Sequence, residues 1–120
     1  MFAYKLFQSG LISQTVACFT DTASGLTALG TTQSTAYAMT ADINEFTTVA
    51  ADSGAVLSAL AVPGDSQTVY NAGVNPMKIY PNSGSRINGL PTNAHMLLAT
   101  NTACELQKAT ATRWIGKLSA

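Results

Sequence analysis

The chain has 120 residues, enough for one domain with a working core, and its apolar fraction of 47% sets it apart from disordered chains. Charged residues make up only 10%, six basic and six acidic, and the basic ones (Lys5, Lys78, Arg86, Lys108, Arg113, Lys117) are dispersed. Nucleic acid binding needs clustered cations and a bilayer span needs about 18 consecutive apolar residues, so neither partner is expected.

In chain order, Tyr4-Lys5-Leu6-Phe7 and Thr15-Val16-Ala17-Cys18-Phe19 read as short strands, and Thr20 to Gly25 as a loop. Gln8, Ser9, Gly10, Ser13 and Gln14 interrupt the apolar stretch that a secretory signal requires. Phe2, Tyr4, Phe7 and Phe19 concentrate aromatic side chains at this end. Residues 1–30 are therefore expected to be an N-terminal arm or edge strands, and 31–120 the main domain.

From Thr31 the pattern is regular. Strands are expected at Ser34–Thr40, Glu45–Ala50 and Ala55–Leu60, with turns at Asp42-Ile43-Asn44 and Asp52-Ser53-Gly54. Thr68-Val69-Tyr70 and Met77-Lys78-Ile79-Tyr80 flank Asn71-Ala72-Gly73-Val74-Asn75-Pro76 and read as a β-hairpin with a lengthened loop. Further strands follow at Arg86-Ile87, His95–Ala99, Ala103–Lys108 and Thr112–Ile115, with Thr100-Asn101-Thr102 as a turn. Short strands separated by turns every 8 to 12 residues indicate an all-β domain, an antiparallel β-sandwich or barrel of jelly-roll type.

Candidate chemistry is sparse. His95 is the sole histidine, and Cys18 and Cys104 are too isolated for a metal or redox motif. Each cysteine is expected to be a free buried thiol. Asp42 and Glu45 lie close in sequence, but carboxylates beside a turn are ordinarily solvated. A sugar-stacking platform of Trp114, Tyr70 and Tyr80 lacks the acid and amide groups that would accompany it. No enzyme activity, cofactor or metal is expected.

One resemblance goes further. The pieces that carry it are Thr32 to Asp42, Thr47 to Ala51, Pro63-Gly64-Asp65, Val69 to Pro81, Ser83 to Gly89, and the close Ala111-Thr112-Arg113-Trp114-Ile115. Taken together they resemble a unit of small structural proteins in tailed bacteriophages, over about two thirds of the chain. The resemblance implies a virion protein, foremost a head decoration (cement) protein, made in the bacterial host cytoplasm and carried on the capsid exterior. It also implies a homotrimer that binds the major capsid protein. On that reading Phe2, Tyr4 and Phe7 contact the capsid, and Tyr70, Tyr80 and Trp114 lie at subunit interfaces. The alternatives are a head-fibre or tail-fibre module, or a carbohydrate-binding β domain for host recognition.

Overall fold

The computed structural model describes residues 21–118. The strands expected at Tyr4–Phe7 and Thr15–Phe19, the aromatic arm residues Phe2, Tyr4 and Phe7, and Cys18 lie outside the described residues. Within them the protein is all-β. Its ten strands are β1 (Thr22–Thr27), β2 (Tyr37–Ala38), β3 (Ile43–Thr48), β4 (Gly54–Val56), β5 (Ser66–Asn71), β6 (Met77–Tyr80), β7 (Arg86–Ile87), β8 (Met96–Leu98), β9 (Thr102–Thr110) and β10 (Arg113–Leu118).

They form a six-stranded sheet in the order β1-β3-β5-β9-β10-β7 and a four-stranded sheet in the order β2-β4-β6-β8. Through β6 the chain alternates between the sheets, and each strand lies parallel to the one two steps earlier. This half winds in solenoid fashion. After β7 the pattern changes: β8 pairs antiparallel with β6, β9 with β5, and β10 with β9. The antiparallel sandwich or barrel expected from the sequence is therefore corrected to a mixed, coiled arrangement. Strand lengths and turns carry no information on which strand is the neighbour, and that is where the expectation failed.

Two local expectations also change. Of the loop expected at Thr20–Gly25, residues 22–25 are instead the start of β1, which pairs with β3 through Thr22↔Ile43 and Ala23↔Asn44, while Thr20 lies outside the described residues. Residues 22–27 thus form an edge strand of the main fold. The hairpin between Val69 and Ile79 does not form, because β5 and β6 belong to opposite sheets. Asn71 makes the corner between them. Its buried amide donates to Asn75 O (2.9 Å) and Leu98 O (3.0 Å) and accepts from Gly73 N (2.9 Å). With Asn71 satisfying the turn's peptide groups, the chain crosses the core instead of folding back on itself.

Alternation along each strand assigns the faces. In β5, Gln67, Val69 and Asn71 point inward, while Ser66, Thr68 and Tyr70 point outward. In β9, Cys104, Leu106 and Lys108 are inward. The core joins Phe46, Val69, Leu106, Trp114 and Ile87 to Ala55, Met77, Ile79 and Leu98 of the facing sheet. Tyr37 closes one side, its ring edge-on to Phe46 at 5.5 Å.

Close approach fixes two corners. A β-carbon on Gly54 would run into Lys78 of the neighbouring strand, and one on Gly73 would meet Val49 Cγ2 at 2.6 Å. Asp52 and Asn101 take up the left-handed backbone conformation that their turns require (φ 64° and 61°).

Candidate functional site

The strands of the six-stranded sheet put their outward side chains in rows across the surface. One row runs Thr22, Ile43, Thr68, Glu105, Lys117 across five strands, each residue the register partner of the next. The neighbouring row carries Glu45, Tyr70 and Ala103, and Gln107 is paired with Ile115 on the other side. Ile43 is 42% exposed and Ile115 46%. A shallow cleft of about 230 Å³ lies on this face between Thr68, Ala103, Glu105, Lys117 and Leu118. The face mixes Ile43, Tyr70 and Ile115 with the carboxylates of Glu45 and Glu105 and the ammonium group of Lys117. That character suits contact with another protein surface.

Two other concavities are small. A groove of about 260 Å³ lies where the loops after β2, β4 and β6 come together, lined by Met39, Thr40, Leu57, Leu60, Asn82 and Ser83. Another of about 220 Å³ lies between Asp52, Asn75, Pro76, Lys78 and Leu97. Among the described residues no group of three or more His, Cys, Asp or Glu side chains is placed to hold a metal ion. No helix there is long and apolar enough to cross a membrane.

The aromatic residues singled out in the sequence are not brought together. Tyr70 is half-buried on the outer face of β5. Tyr80 is only 6% exposed, donates its hydroxyl hydrogen to Thr31 O (3.0 Å), and meets His95 edge-on. Trp114 is fully buried, and its Nε1 donates to Asn82 Oδ1 at 2.9 Å. Of the three aromatic residues expected at or near subunit interfaces, Tyr80 and Trp114 are packed into the interior of the chain and Tyr70 keeps part of its surface open. The same placement removes the sugar-stacking platform. Asp42, beside Glu45 in the sequence, uses its carboxylate to accept the Asp21 N–H at 3.2 Å.

The interior holds polar groups that the sequence reading passed over. Gln67 donates to Ala41 O and accepts from Ser58 N, and Asn44 also donates to Ala41 O. Lys108, 5% exposed, donates to Ala61 O at 3.1 Å, with its ammonium 5.5 Å from the Trp114 ring centre. Strand alternation in Cys104-Glu105-Leu106-Gln107-Lys108 was the available signal for Lys108, since it shares the face of Cys104 and Leu106. The Cys104 thiol is free and buried, with its sulfur 4.0 Å from Met96 Sδ. Burial pushes its pKa up to about 11; the Lys117 N–H pulls it down and Glu105 adds a little upward.

No family model matches the chain, and no curated protein or solved structure does either.

Proposed function

We propose that this protein is a non-enzymatic structural component of a bacteriophage virion that binds the outer capsid surface as a trimer and stabilises the head across seams between capsid subunits. The observation that carries the reading is the outer face of the six-stranded sheet. It spans five strands and exposes Ile43 and Ile115 beside half-buried Tyr70, with Glu45, Glu105 and Lys117 interspersed. A chain with only 10% charged residues gains from covering such a face with other subunits. Tyr70 then belongs to the contact between subunits, and Phe2, Tyr4 and Phe7 to the contact with the major capsid protein. The motif run from Thr32 to Ile115 supports the same reading through its resemblance to phage structural units.

Physically, each apolar contact across a seam contributes roughly 25 cal/mol per Å² removed from water, less the cost of association. Three linked contacts make the second and third binding events intramolecular, so modest single-site affinity becomes strong attachment. A second reading, a head-fibre or tail-fibre module, is favoured by the parallel coil from β1 to β6, because stacked coils extend naturally along an axis.

The test combines solution mass with sedimentation on expanded heads that carry no decoration protein. A mass three times 12.4 kDa, with binding lost on deletion of residues 2–10, is the expected result. A monomer that fails to sediment with heads overturns the proposal. A trimer that binds fibre components and not heads transfers it to the second reading.

A further inference from the structure

Asn88 and Gly89 form the sole Asn-Gly step among seven asparagines in the chain, and the structure gives that step a mechanical position. β7 has two register pairs with β10, Arg86↔Arg113 and Ile87↔Trp114. Asn88 fastens its end. The Asn88 N–H donates to Trp114 O at 2.8 Å, and the side-chain Oδ1 accepts the Gly116 N–H at 2.9 Å. Nδ2 lies 3.5 Å from Gly116 O as a longer donor contact. The side-chain amide thus stands in for one more residue of strand.

Immediately beyond it, conditions favour cyclisation. Asn88 and Gly89 are both exposed, and Asn88 holds a left-handed backbone conformation (φ 50°). Among the described residues the Gly89 N–H has no hydrogen-bond acceptor, and a β-carbon at Gly89 would meet nothing within 4 Å. We propose that Asn88–Gly89 is a site of spontaneous deamidation and that its products unfasten β7 from β10.

In this step the Gly89 main-chain nitrogen attacks Asn88 Cγ. An N–Cγ bond forms, the Cγ–Nδ2 bond breaks, and Nδ2 leaves as ammonia with the proton lost from the Gly89 nitrogen. Water then opens the succinimide ring at either carbonyl, giving aspartate or isoaspartate. No electrons are transferred. Aspartate replaces the Nδ2 donor with an anionic oxygen against Gly116 O. Isoaspartate inserts a methylene into the main chain, so the bonds to Trp114 O and Gly116 N cannot both be kept.

The experiment ages the purified full chain in mildly alkaline buffer and follows each asparagine by peptide mass spectrometry, with fragmentation that separates aspartate from isoaspartate. Asn88 is expected to convert ahead of the six other asparagines, including Asn82, which precedes Ser83. Gly89→Ala fills open space; it is expected to keep the melting temperature and lose the conversion. The aged isoaspartate fraction is expected to melt lower and to be cleaved faster by protease between residues 83 and 90. Asn88 persisting in the native chain while converting in urea would overturn the proposal, because the Gly116 tether then shields the site. An aged fraction with unchanged melting and unchanged cleavage would overturn the unfastening.

Discussion

The coiled half from β1 to β6 and the antiparallel half from β8 to β10 share one interior but hold it together differently. In the coiled half, inward positions include Asn44, Gln67 and Asn71, which hydrogen-bond to turn peptides at Ala41, Ser58, Gly73 and Asn75. In the antiparallel half, they are filled mainly by Leu98, Cys104, Leu106 and Trp114. The physical reason is the corner. A strand that crosses from one sheet to the other leaves peptide groups beneath it without ladder partners, and a buried amide satisfies them. An antiparallel return keeps most of its peptide groups in the ladder and leaves its interior free for apolar packing.

The largest break in this comparison is expected from Trp114→Ala, which removes the biggest fully buried side chain and strands Asn82 Oδ1. A loss of about 3–5 kcal/mol is expected in denaturant unfolding. Trp114→Phe restores much of the volume and none of the Nε1 bond, so it should recover most of that loss. A Phe variant as weak as the Ala variant would show that the bond to Asn82, and not packing, governs this half.

Asn71→Ala tests the coiled half. It withdraws two donated bonds and one accepted bond, leaving Leu98 O, Asn75 O and Gly73 N without that partner. Buried groups left unpaired cost about 1–3 kcal/mol each, partly recovered by entering water, so a net loss of about 2–3 kcal/mol is expected. The loss should come with faster hydrogen exchange at Gly73. Unchanged exchange there would mean that the corner holds without its amide.

These contrasts explain what was legible in the sequence. Strand positions were readable in part: Met77–Tyr80 and Arg86-Ile87 match the observed strands and Asn101 sits in the expected turn, but the alternating Ser34–Thr40 keeps only Tyr37–Ala38 as strand, and the turn expected at Asp42-Ile43-Asn44 is the start of β3. The alternating pattern reports that one face is buried and says nothing about which strand lies alongside. The Asn71–Pro76 segment carries the turn residues of a hairpin loop, yet Asn71 turns its amide inward and sends the chain across the core. Aromatic identity was likewise a poor guide to exposure: Tyr70 and Tyr80 occupy similar β contexts, and only the covering residues Thr31 and His95 separate them.

Cys104 gives a smaller effect, sharpened by pH. Its thiol is held at about 11 in the folded chain against 9.0 for the ordinary group, with burial as the main cause. The unfolded chain therefore loses this proton first as pH rises. The thiol's contribution is fully present below about pH 9 and is lost between 9 and about 11, a change on the order of 1–2 kcal/mol. The difference in stability between the parent and Cys104→Ala should narrow across that window. Alkylation of the native thiol should be slow below it, because the thiolate is the reactive form. A difference independent of pH would place the cost of Cys104→Ala wholly in the cavity.

The smallest expected change is also the one whose sign carries most information. Lys108 brings a polar group into the apolar half, where its Nζ has Ala61 O at 3.1 Å and the Trp114 ring face at 5.5 Å. Replacing a buried cation with an apolar chain of similar length removes a desolvation cost while leaving one carbonyl without its donor. The cation–ring attraction is worth about 0.5–2 kcal/mol and opposes the replacement. These contributions nearly cancel, so Lys108→Met should lie within about 1 kcal/mol of the parent. If the variant is more stable, the two halves differ as drawn: the antiparallel half tolerates a charge that apolar packing would replace at a gain. If it loses as much as Asn71→Ala, then Lys108 is to the 58–65 loop what Asn71 is to the β5–β6 corner, and both halves depend on a buried polar group holding the backbone that crosses above it.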